Sequence, residues 1–244
     1  MRRATATTIA LGSLALLALL AMNAPAPTQD ARRFEATLQK EVRYGYLVSL
    51  PAAYDVDPAA THPVIVFLHG SGETGTDVAT LKTQGLTKLA ERRAEIPALA
   101  PFIILSPQTP TRPWDPEALD AWLDAALKDV RADRARIYLT GLSMGGFGTW
   151  DWAGRRPERF AAIAPICGGG NMWSTRQLGK MPIWAFHGGA DNVVPTEWGQ
   201  AMADGARKAG ADVTWTVYPG VGHDSWTQTY ANPDLYAWFL KHRR

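Results

Sequence analysis

Short, continuous apolar runs recur along the chain and are separated by longer segments with helical periodicity. A run that is apolar at consecutive positions is typical of a strand buried on both faces. Strands of this kind that alternate with helices form a mostly parallel sheet covered by helices on both faces. The sequence therefore predicts an α/β fold. The predicted strands are residues 64–68, 102–105, 137–139, 161–166, 183–186 and 213–217, and the predicted helices include residues 116–130 and 146–155.

No second change of composition and no long linker interrupts this pattern, so we predict a single domain over residues 31–244. An earlier strand at residues 43–50, with Tyr44, Tyr46 and Val48 on one face, is expected to be antiparallel. The chain has 244 residues, of which 46% are hydrophobic and 20% charged. This composition supplies one sizeable core and excludes a disordered chain, a collagen or a coiled coil.

The N-terminal segment differs from the rest of the chain. Arg2 and Arg3 precede fourteen residues, 9–22, that carry no charge and are strongly apolar. This pattern is typical of a signal peptide, because a membrane-spanning helix needs about 20 residues. Small residues suited to cleavage precede Pro27, but a proline directly after the cut hinders processing. We therefore expect residues 1–30 to be a signal peptide or an N-terminal anchor, and the protein to be exported to the periplasm or the cell exterior.

The charges are nearly balanced, with 25 lysines and arginines, 23 aspartates and glutamates, and a formal net charge of +2. This balance gives no reason to expect nucleic acid or an acidic polymer as a partner. Cys167 is the one cysteine of the sequence, which excludes an intramolecular disulfide. The histidines are not spaced like the ligands of a structural metal, and we predict no metal site.

The segment Gly141-Leu142-Ser143-Met144-Gly145 lies between a predicted buried strand and a predicted helix. In this context Gly-x-Ser-x-Gly is the nucleophile elbow, whose glycines let neighbouring backbones approach a sharp turn. The turn lifts the Ser143 hydroxyl above the sheet edge and directs the helix N-terminus at the reacting atoms. Ser143 is therefore the candidate nucleophile, and the alternative is a glycine-rich turn without chemistry.

A serine nucleophile needs a histidine that takes its proton, and three histidines follow Ser143 in the chain. His223 lies in a glycine-flanked loop after the last predicted strand, from which its ring can reach the elbow, so it is the candidate base. His187 ends a predicted strand and is expected to be a packed residue. His242 lies in a basic C-terminal tail and is expected to be solvated.

A catalytic site of this kind also needs an acid, which lies between the serine and the histidine in the chain. Asp191 has this position, in a loop after a predicted strand. Its carboxylate would fix the tautomer of the histidine and stabilise the imidazolium formed during proton transfer. Asp204 and Asp212 belong to a helix and its exit, and Asp224 adjoins the histidine and cannot easily face its ring. Asp191 is the candidate acid, although a loop aspartate can also be only a turn former.

Donors for the oxyanion of the reaction are expected from residues 69–73, the loop after the first buried strand. The backbone N–H groups of Ser71 and Met144 are the candidate oxyanion hole, and the loss of one such donor costs about 2.7–4 kcal/mol of transition-state stabilisation. His69 is expected to be a structural residue, hydrogen-bonded beneath the loop. Glu73 could bind a substrate or support the loop, and both interpretations stay open.

The sequence contains ten tryptophans, and several of them follow predicted strands. Trp114 and Trp173 lie in loops at the carboxyl ends of strands, where α/β sheets bind their ligands. They are the candidate substrate-binding residues and could line a pocket for an aromatic acyl group or a sugar. The alternative interpretation is that each tryptophan packs its own loop against the domain.

The order of Ser143, Asp191 and His223, with a His-Gly loop after the first buried strand, resembles the α/β-hydrolase superfamily. Within it, the chain looks like the small bacterial carboxylesterases related to dienelactone hydrolases and to the catalytic domain of prolyl oligopeptidase. The segments that carry the resemblance are residues 68–73, 139–150, 165–169, 184–195 and 222–226. The resemblance implies an eight-stranded sheet, an acyl-serine intermediate and no cofactor. Cys167 invites comparison with the cysteine nucleophile of dienelactone hydrolases, but Ser143 occupies the elbow, and we expect a buried thiol near the site.

The resemblance and the candidate residues predict a serine hydrolase that cleaves carboxylic esters, either small molecules or esters linked to a polysaccharide, with no stable protein partner. No large cap is expected, because the segment between residues 166 and 183 is short, and the site should be open. One alternative is a serine peptidase of the prolyl-oligopeptidase type, and another is a non-catalytic glycan-binding protein. The resemblance does not fix the substrate, since it extends to enzymes that act on acetylated or feruloylated sugars, polyhydroxyalkanoates and simple esters.

Overall fold

The computed structural model of the protein describes residues 31–244. The strands and helices of this range belong to a compact unit, Glu41–Arg244. The predicted signal peptide or anchor, residues 1–30, lies outside the described residues. Within residues 31–244, no helix has both the length and the apolar composition that crossing a bilayer requires.

The strands of the described residues form one mostly parallel sheet. They are β1 (Gly45–Ser49), β2 (His62–Leu68), β3 (Ile103–Gln108), β4 (Ala132–Leu142), β5 (Ala162–Ile166), β6 (Pro182–Gly188) and β7 (Asp212–Tyr218). Their order across the sheet is β1-β3-β2-β4-β5-β6-β7. β1 pairs antiparallel with β3, and every other pair is parallel. The six predicted buried strands and the predicted antiparallel strand are confirmed.

The sheet has seven strands in the described residues, one fewer than the eight that the resemblance implies. Residues 31–44, which precede β1, form no strand. Phe34, Ala36 and Leu38 alternate with polar residues, but the side chains of residues 31–40 are exposed and none of them pairs with β1. Within the described range, β1 is therefore the edge of the sheet.

The α-helices of the described residues cover both faces of the sheet. They are α1 (Gly85–Ala90), α2 (Pro116–Ala126), α3 (Met144–Arg155), α4 (Thr196–Lys208), α5 (Trp226–Ala231) and α6 (Pro233–Leu240). α2 begins where the sequence predicts, because Asp115 accepts backbone N–H groups of the first turn and Pro116 follows it. It ends at Ala126 rather than at residue 130, because residues 127–130 form the turn that leads into β4.

The core has two parts, one on each face of the sheet, because successive side chains of a strand point to opposite faces. Val64 and Val66 of β2 pack with side chains of α2, α3 and α4. Ile65 and Phe67 of the same strand pack with side chains of α1, α5 and α6. The helix that follows Ser143 is therefore held on the first face.

The first turn of α3 lies directly against the backbone of two strands. A methyl group on Gly145 would lie 2.0 Å from the carbonyl oxygen of Leu68 in β2, and one on Gly146 would lie 2.4 Å from the carbonyl oxygen of Ile166 in β5. These distances are too short for any side chain. The expectation that glycines around Ser143 allow close backbone approach is confirmed.

We expect Gly145→Ala to lower the free energy of unfolding by about 3 kcal/mol or more, because only a backbone shift can relieve the contact with Leu68. Gly72→Ala is the matched control, since a methyl group at Gly72 would contact nothing within 4 Å. Urea unfolding of both variants measures the difference. Equal stability of the two variants would contradict the packing described here.

Candidate active site

Ser143 occupies the turn between β4 and α3 with φ 53° and ψ −117°, a conformation that residues other than glycine rarely adopt. Its N–H donates to the carbonyl of Ile166 at 3.0 Å and lies 3.2 Å from the sulfur of Cys167. Both acceptors lie at the end of β5, so the neighbouring strand holds a turn that costs about 1–3 kcal/mol of backbone strain. The serine has the geometry of a nucleophile elbow.

Three side chains from separate loops form a hydrogen-bonded line at the carboxyl edge of the sheet. Nε2 of His223 lies 2.8 Å from Oγ of Ser143, and Nδ1 of His223 lies 2.8 Å from Oδ2 of Asp191. An ionised carboxylate can only accept, so Nδ1 carries a proton and Nε2 accepts from the serine hydroxyl. The structure brings together the three residues predicted from the sequence, in the arrangement of a Ser-His-Asp triad.

The carboxylate of Asp191 is fully buried. Burial disfavours its charge, but hydrogen bonds from His223 and from the N–H groups of Val194 and Val193 outweigh this effect and lower the pKa of Asp191 below its ordinary value. The carboxylate is therefore ionised at neutral pH. It can orient His223 and stabilise an imidazolium without taking up the proton itself.

A second histidine contacts the same carboxylate. Nε2 of His187 lies 2.9 Å from the carbonyl oxygen of Val194 and 3.3 Å from Oδ2 of Asp191. A carbonyl only accepts, so this nitrogen carries the proton, and burial lowers the pKa of His187 and keeps its ring neutral. The prediction that His187 is a packed residue at a strand end is confirmed. The ring also holds the loop that carries Asp191.

The rival acids have other partners. Asp204 pairs with Arg207 at 2.6 Å on α4. Asp224 accepts the N–H of Thr227, in the first turn of α5, at 3.0 Å. The Nδ1 proton of His223 is donated to Asp191 rather than to either of these carboxylates.

His242 is packed, and the prediction that it is solvated is wrong. Its ring lies edge-on to the ring of Trp238, with centroids 4.7 Å apart, and burial lowers its pKa. The reason is that the C-terminal segment lies against the sheet, where the hydroxyl of Tyr138 donates to the carbonyl of His242 at 3.0 Å. The sequence pattern of a basic tail does not reveal this contact.

His69 lies buried beneath the loop that follows β2. Its Nε2 accepts the N–H of Thr109 at 3.2 Å, so its Nδ1 carries the proton and donates to the carbonyl of Gly70 at 2.6 Å. Burial lowers the pKa of His69 to about 4, which keeps the ring neutral at neutral pH. The prediction that His69 is a structural residue beneath the loop is confirmed.

The orientation of the Gly70 carbonyl determines where the next N–H points. The two groups point in opposite directions across a trans peptide, so the N–H of Ser71 points away from His69 and out of the loop. Met144 is the first residue of α3, and the first N–H groups of a helix have no acceptor within it. These are the two N–H groups that the sequence analysis assigns to an oxyanion.

Glu73 supports this loop. Its carboxylate accepts from the backbone N–H groups of Gly70 and of Glu73 itself, and burial raises its pKa. Of the two interpretations left open by the sequence, these contacts favour support of the loop over substrate binding.

Trp114 is buried, with 4% of its surface exposed, so it cannot contact a substrate. Its indole N–H donates to the carbonyl of His69 at 3.2 Å, and its ring packs on the His69 ring. The guanidinium of Arg112, two residues earlier, donates to the carbonyl of Ser71. The prediction that Trp114 lines a substrate pocket is wrong. The tryptophan packs its own loop and thereby holds the loop of Ser71.

Trp173 is exposed, and the guanidinium of Arg176 lies over its ring at 4.2 Å. It borders a polar cavity of about 510 Å³ together with Asp151 and Arg155. Arg155 is the last residue of α3, about 18 Å along the helix axis from Ser143. Substrate binding by Trp173 stays a prediction, but its cavity lies at the far end of the elbow helix.

An apolar groove, lined by the first halves of α3 and α4 and the loop after β5, is not evident from the sequence pattern. The groove has a volume of about 430 Å³ and is called here the Phe147–Trp198 groove. Its lining residues are Phe147, Gly170, Met172, Trp198 and Ala201. The available signal was that Trp198 follows the Asp191 loop at the carboxyl end of β6, in the first turn of α4.

Cys167 is buried directly behind the turn of Ser143, as the sequence predicts. Burial raises the pKa of its thiol to about 12. A thiol with this pKa stays protonated at neutral pH, and the thiolate is the nucleophilic form of cysteine. Cys167 therefore contributes packing and an acceptor for the Ser143 N–H.

Comparisons with known proteins agree with this fold. The sequence profile described as "Dienelactone hydrolase family" matches residues 103–234. A "Putative carboxymethylenebutenolidase" of Methylorubrum extorquens is 30% identical over 43% of this chain and 39% of its own length. A "Probable feruloyl esterase C" of Aspergillus oryzae is 27% identical over 75% of this chain and 68% of its own length.

Among solved structures, a thermostable esterase superposes with a TM-score of 0.68 at 32% identity, covering 82% of this chain and 60% of that protein. A ferulic acid esterase superposes with a TM-score of 0.59 at 19% identity, covering 80% of this chain and 90% of that protein, which supports the fold alone. The chain spans about two fifths of the length of the carboxymethylenebutenolidases it matches.

We expect thiol reagents such as iodoacetamide and dithionitrobenzoate to leave the native protein unmodified at mildly alkaline pH, because the Cys167 thiol is buried and protonated. After unfolding in guanidinium, the single thiol should react. Mass spectrometry before and after unfolding measures both states. Rapid modification of the folded protein would contradict this description of Cys167.

Proposed function

The chain belongs to the dienelactone hydrolase family, and from this premise we propose that it hydrolyses carboxylic esters through an acyl-serine intermediate. The observation that carries the proposal is the hydrogen-bonded line from Asp191 through His223 to Ser143. The names feruloyl esterase and thermostable esterase, given to two similar proteins, also support an ester as the substrate.

In the first half of the reaction, Nε2 of His223 takes the hydroxyl proton of Ser143 while Oγ attacks the ester carbonyl carbon. The bond between that carbon and the alcohol oxygen then breaks. His223 returns its proton to the departing oxygen, the alcohol leaves, and the acyl group stays on Ser143. Asp191 stabilises the imidazolium during both transfers because its carboxylate is buried, ionised and 2.8 Å from Nδ1.

The N–H groups of Ser71 and Met144 donate hydrogen bonds to the carbonyl oxygen as negative charge develops on it. Ser71 is suited to this role because the hydrogen bond from His69 holds the Gly70 carbonyl inward and leaves the next N–H outward. Met144 is suited because it begins α3, whose N-terminus favours negative charge.

In the second half, a water molecule takes the position of the alcohol. His223 removes a proton from the water as it attacks the acyl carbon, the bond to Oγ of Ser143 breaks, and His223 returns the proton to the serine. The products are a carboxylic acid and the free enzyme. The proposed substrates are small-molecule esters or esters linked to a polysaccharide, since no domain in the described residues covers the carboxyl edge of the sheet.

We further propose that the reaction takes place outside the cytoplasm. This proposal rests on the charge and apolar pattern of residues 1–30 alone.

We expect Ser143→Ala and His223→Ala to lower kcat for p-nitrophenyl acetate, butyrate and octanoate by at least about 1,000-fold. The first variant lacks the nucleophile, and the second lacks the base. Asp191→Asn should lower kcat by about 10,000-fold, because the amide favours the wrong tautomer of His223. Release of p-nitrophenol measures all three variants.

The matched controls are Asp224→Asn and His242→Gln. Asp224 is next to His223 in the chain, but neither Asp224 nor His242 belongs to the hydrogen-bonded line from Asp191 to Ser143. An amide at position 224 can still accept the N–H of Thr227, so both controls should keep most of the parent activity. Undiminished turnover in Ser143→Ala would refute the elbow assignment. A folded but inactive parent would redirect the search to peptide and glycan substrates.

We expect Ser71→Ala to keep most of the activity, because it keeps the backbone N–H that serves the oxyanion. Ser71→Pro removes that N–H and should lower kcat by about 100- to 1,000-fold. Proline is suited to this position, the first of a short 3₁₀ helix after an extended Gly70. Steady-state kinetics on one ester compares the two variants, and similar kcat values for both would exclude Ser71 as an oxyanion donor.

A further inference from the structure

We propose that the Phe147–Trp198 groove binds an aromatic, uncharged acyl group of the substrate. The proposal rests on the proposed ester hydrolysis and assigns one arm of the ester to one surface of the protein. It makes Trp198 and Phe147 specificity-determining residues, whereas the sequence pattern favours Trp114 and Trp173 for that role.

The groove begins one helical turn from the nucleophile. The N–H of Phe147 donates to the carbonyl of Ser143 at 3.0 Å in the first turn of α3. Trp198 lies in the first turn of α4, just after the loop of Asp191. The two rings stand almost perpendicular, at 88° with centroids 6.3 Å apart. The two rings of the groove therefore belong to the helix that begins at the nucleophile turn and to the helix that follows the loop of Asp191.

Gly169 lies between these two side chains and allows them to come together. A methyl group on Gly169 would lie 2.9 Å from Cβ of Trp198 and 3.3 Å from Cε1 of Phe147. The loop after β5, the elbow helix and the helix after the acid loop thus meet at one point. This is the edge of the sheet at which an α/β fold binds its ligands.

The chemistry of the reaction assigns the groove to the acyl arm. The tetrahedral carbon on Ser143 would carry an oxyanion, a leaving oxygen and the acyl chain. The oxyanion is directed to the loop of Ser71, after β2, and the leaving oxygen must reach Nε2 of His223, after β7. The acyl chain takes the remaining direction, and the groove lies on the face of α3 and α4, which neither of the other two groups uses.

The other face of the sheet offers room for the alcohol. A cavity of about 210 Å³ lies between α1 and α5, and Trp226 and Tyr230 line it. The ring of Trp226 stands edge-on to the ring of His223, with centroids 5.4 Å apart. Trp226 therefore links this cavity to the ring that protonates the departing alcohol.

The lining of the groove selects an uncharged group. Its five lining residues carry no charge, so a charged acyl group would lose its hydration without gaining a partner. The volume, about 430 Å³, is in the range of small-molecule sites.

An aromatic ring suits the groove better than an alkyl chain. Trp198 and Met172 are each more than half exposed, so a large indole face and a thioether are available to a ligand. A planar ring can stack on the indole, meet Phe147 edge-on and contact the sulfur, and each of these contacts favours an aromatic partner.

The test compares two p-nitrophenyl esters, the hydrocinnamate and the acetate, on the full-length protein and its variants. Trp198→Ala should lower the ratio of kcat/KM for hydrocinnamate to kcat/KM for acetate by about tenfold. Trp198→Phe keeps an aromatic face and should keep the ratio within about threefold of the parent. Val56→Ala removes an exposed apolar side chain outside the groove and should leave the ratio as it is in the parent.

Three results would overturn the proposal. An unchanged ratio in Trp198→Ala would show that the groove does not select the acyl group. If Trp198→Ala lowered kcat/KM for p-nitrophenyl octanoate as much as for the hydrocinnamate, the groove would prefer apolar groups in general and not aromatic ones. If Trp198→Ala lowered kcat/KM more for phenethyl acetate than for methyl hydrocinnamate, the groove would bind the alcohol group of the ester and not its acyl group.

A separate measurement distinguishes failure of the proposed ester hydrolysis from failure of the groove assignment. A parent protein that hydrolyses none of these esters contradicts the proposed ester hydrolysis. Calorimetric titration with hydrocinnamamide then tests whether the groove binds an aromatic acyl group. The groove assignment stands if the parent binds the amide and Trp198→Ala raises the Kd about tenfold. It is refuted if the parent does not bind or if the variant binds equally well.

Discussion

The site depends on the contact between the first turn of α3 and the backbones of β2 and β5. A methyl group at Gly145 or Gly146 would lie 2.0 or 2.4 Å from a strand carbonyl, so only glycine allows the helix to start this close to the sheet. Ser143, directly before this turn, has a positive φ, and its hydrogen bond to the end of β5 holds it there. The hydroxyl is thereby placed where a histidine from the loop after β7 can reach it.

Burial separates the histidines around the site into two kinds. His69 and His187 are fully buried and have lowered pKa values, and each uses a neutral ring to fix one loop: His69 the loop of Ser71, and His187 the loop of Asp191. His223 keeps part of its side chain exposed, between a buried carboxylate and the serine hydroxyl. Two histidines support the geometry, and the third is placed to exchange protons.

The positions of Ser143, Asp191 and His223 could be predicted because the carboxyl ends of parallel strands meet at one edge, and each residue directly follows a recognisable strand or its loop. Trp114 could not be assigned in this way. Its place in a carboxyl-end loop is correct, but the direction of its side chain, toward His69, depends on contacts distant in sequence. Trp198 could not be assigned either, because its contact with Phe147 and its position beside Gly169 join residues that are distant in sequence. The eighth strand was expected only by resemblance, and the charged segment before β1 does not form it.

The hydrogen-bonded line from Asp191 to Ser143 should make this serine a nucleophile, and covalent labelling of the active site reads out that reactivity. A fluorophosphonate reacts with an activated serine hydroxyl by losing fluoride, and peptide mapping by mass spectrometry locates the adduct. We expect one adduct, on Ser143, that is absent in Ser143→Ala and forms far more slowly in His223→Ala. An adduct on another residue, or labelling that persists in Ser143→Ala, would contradict this expectation.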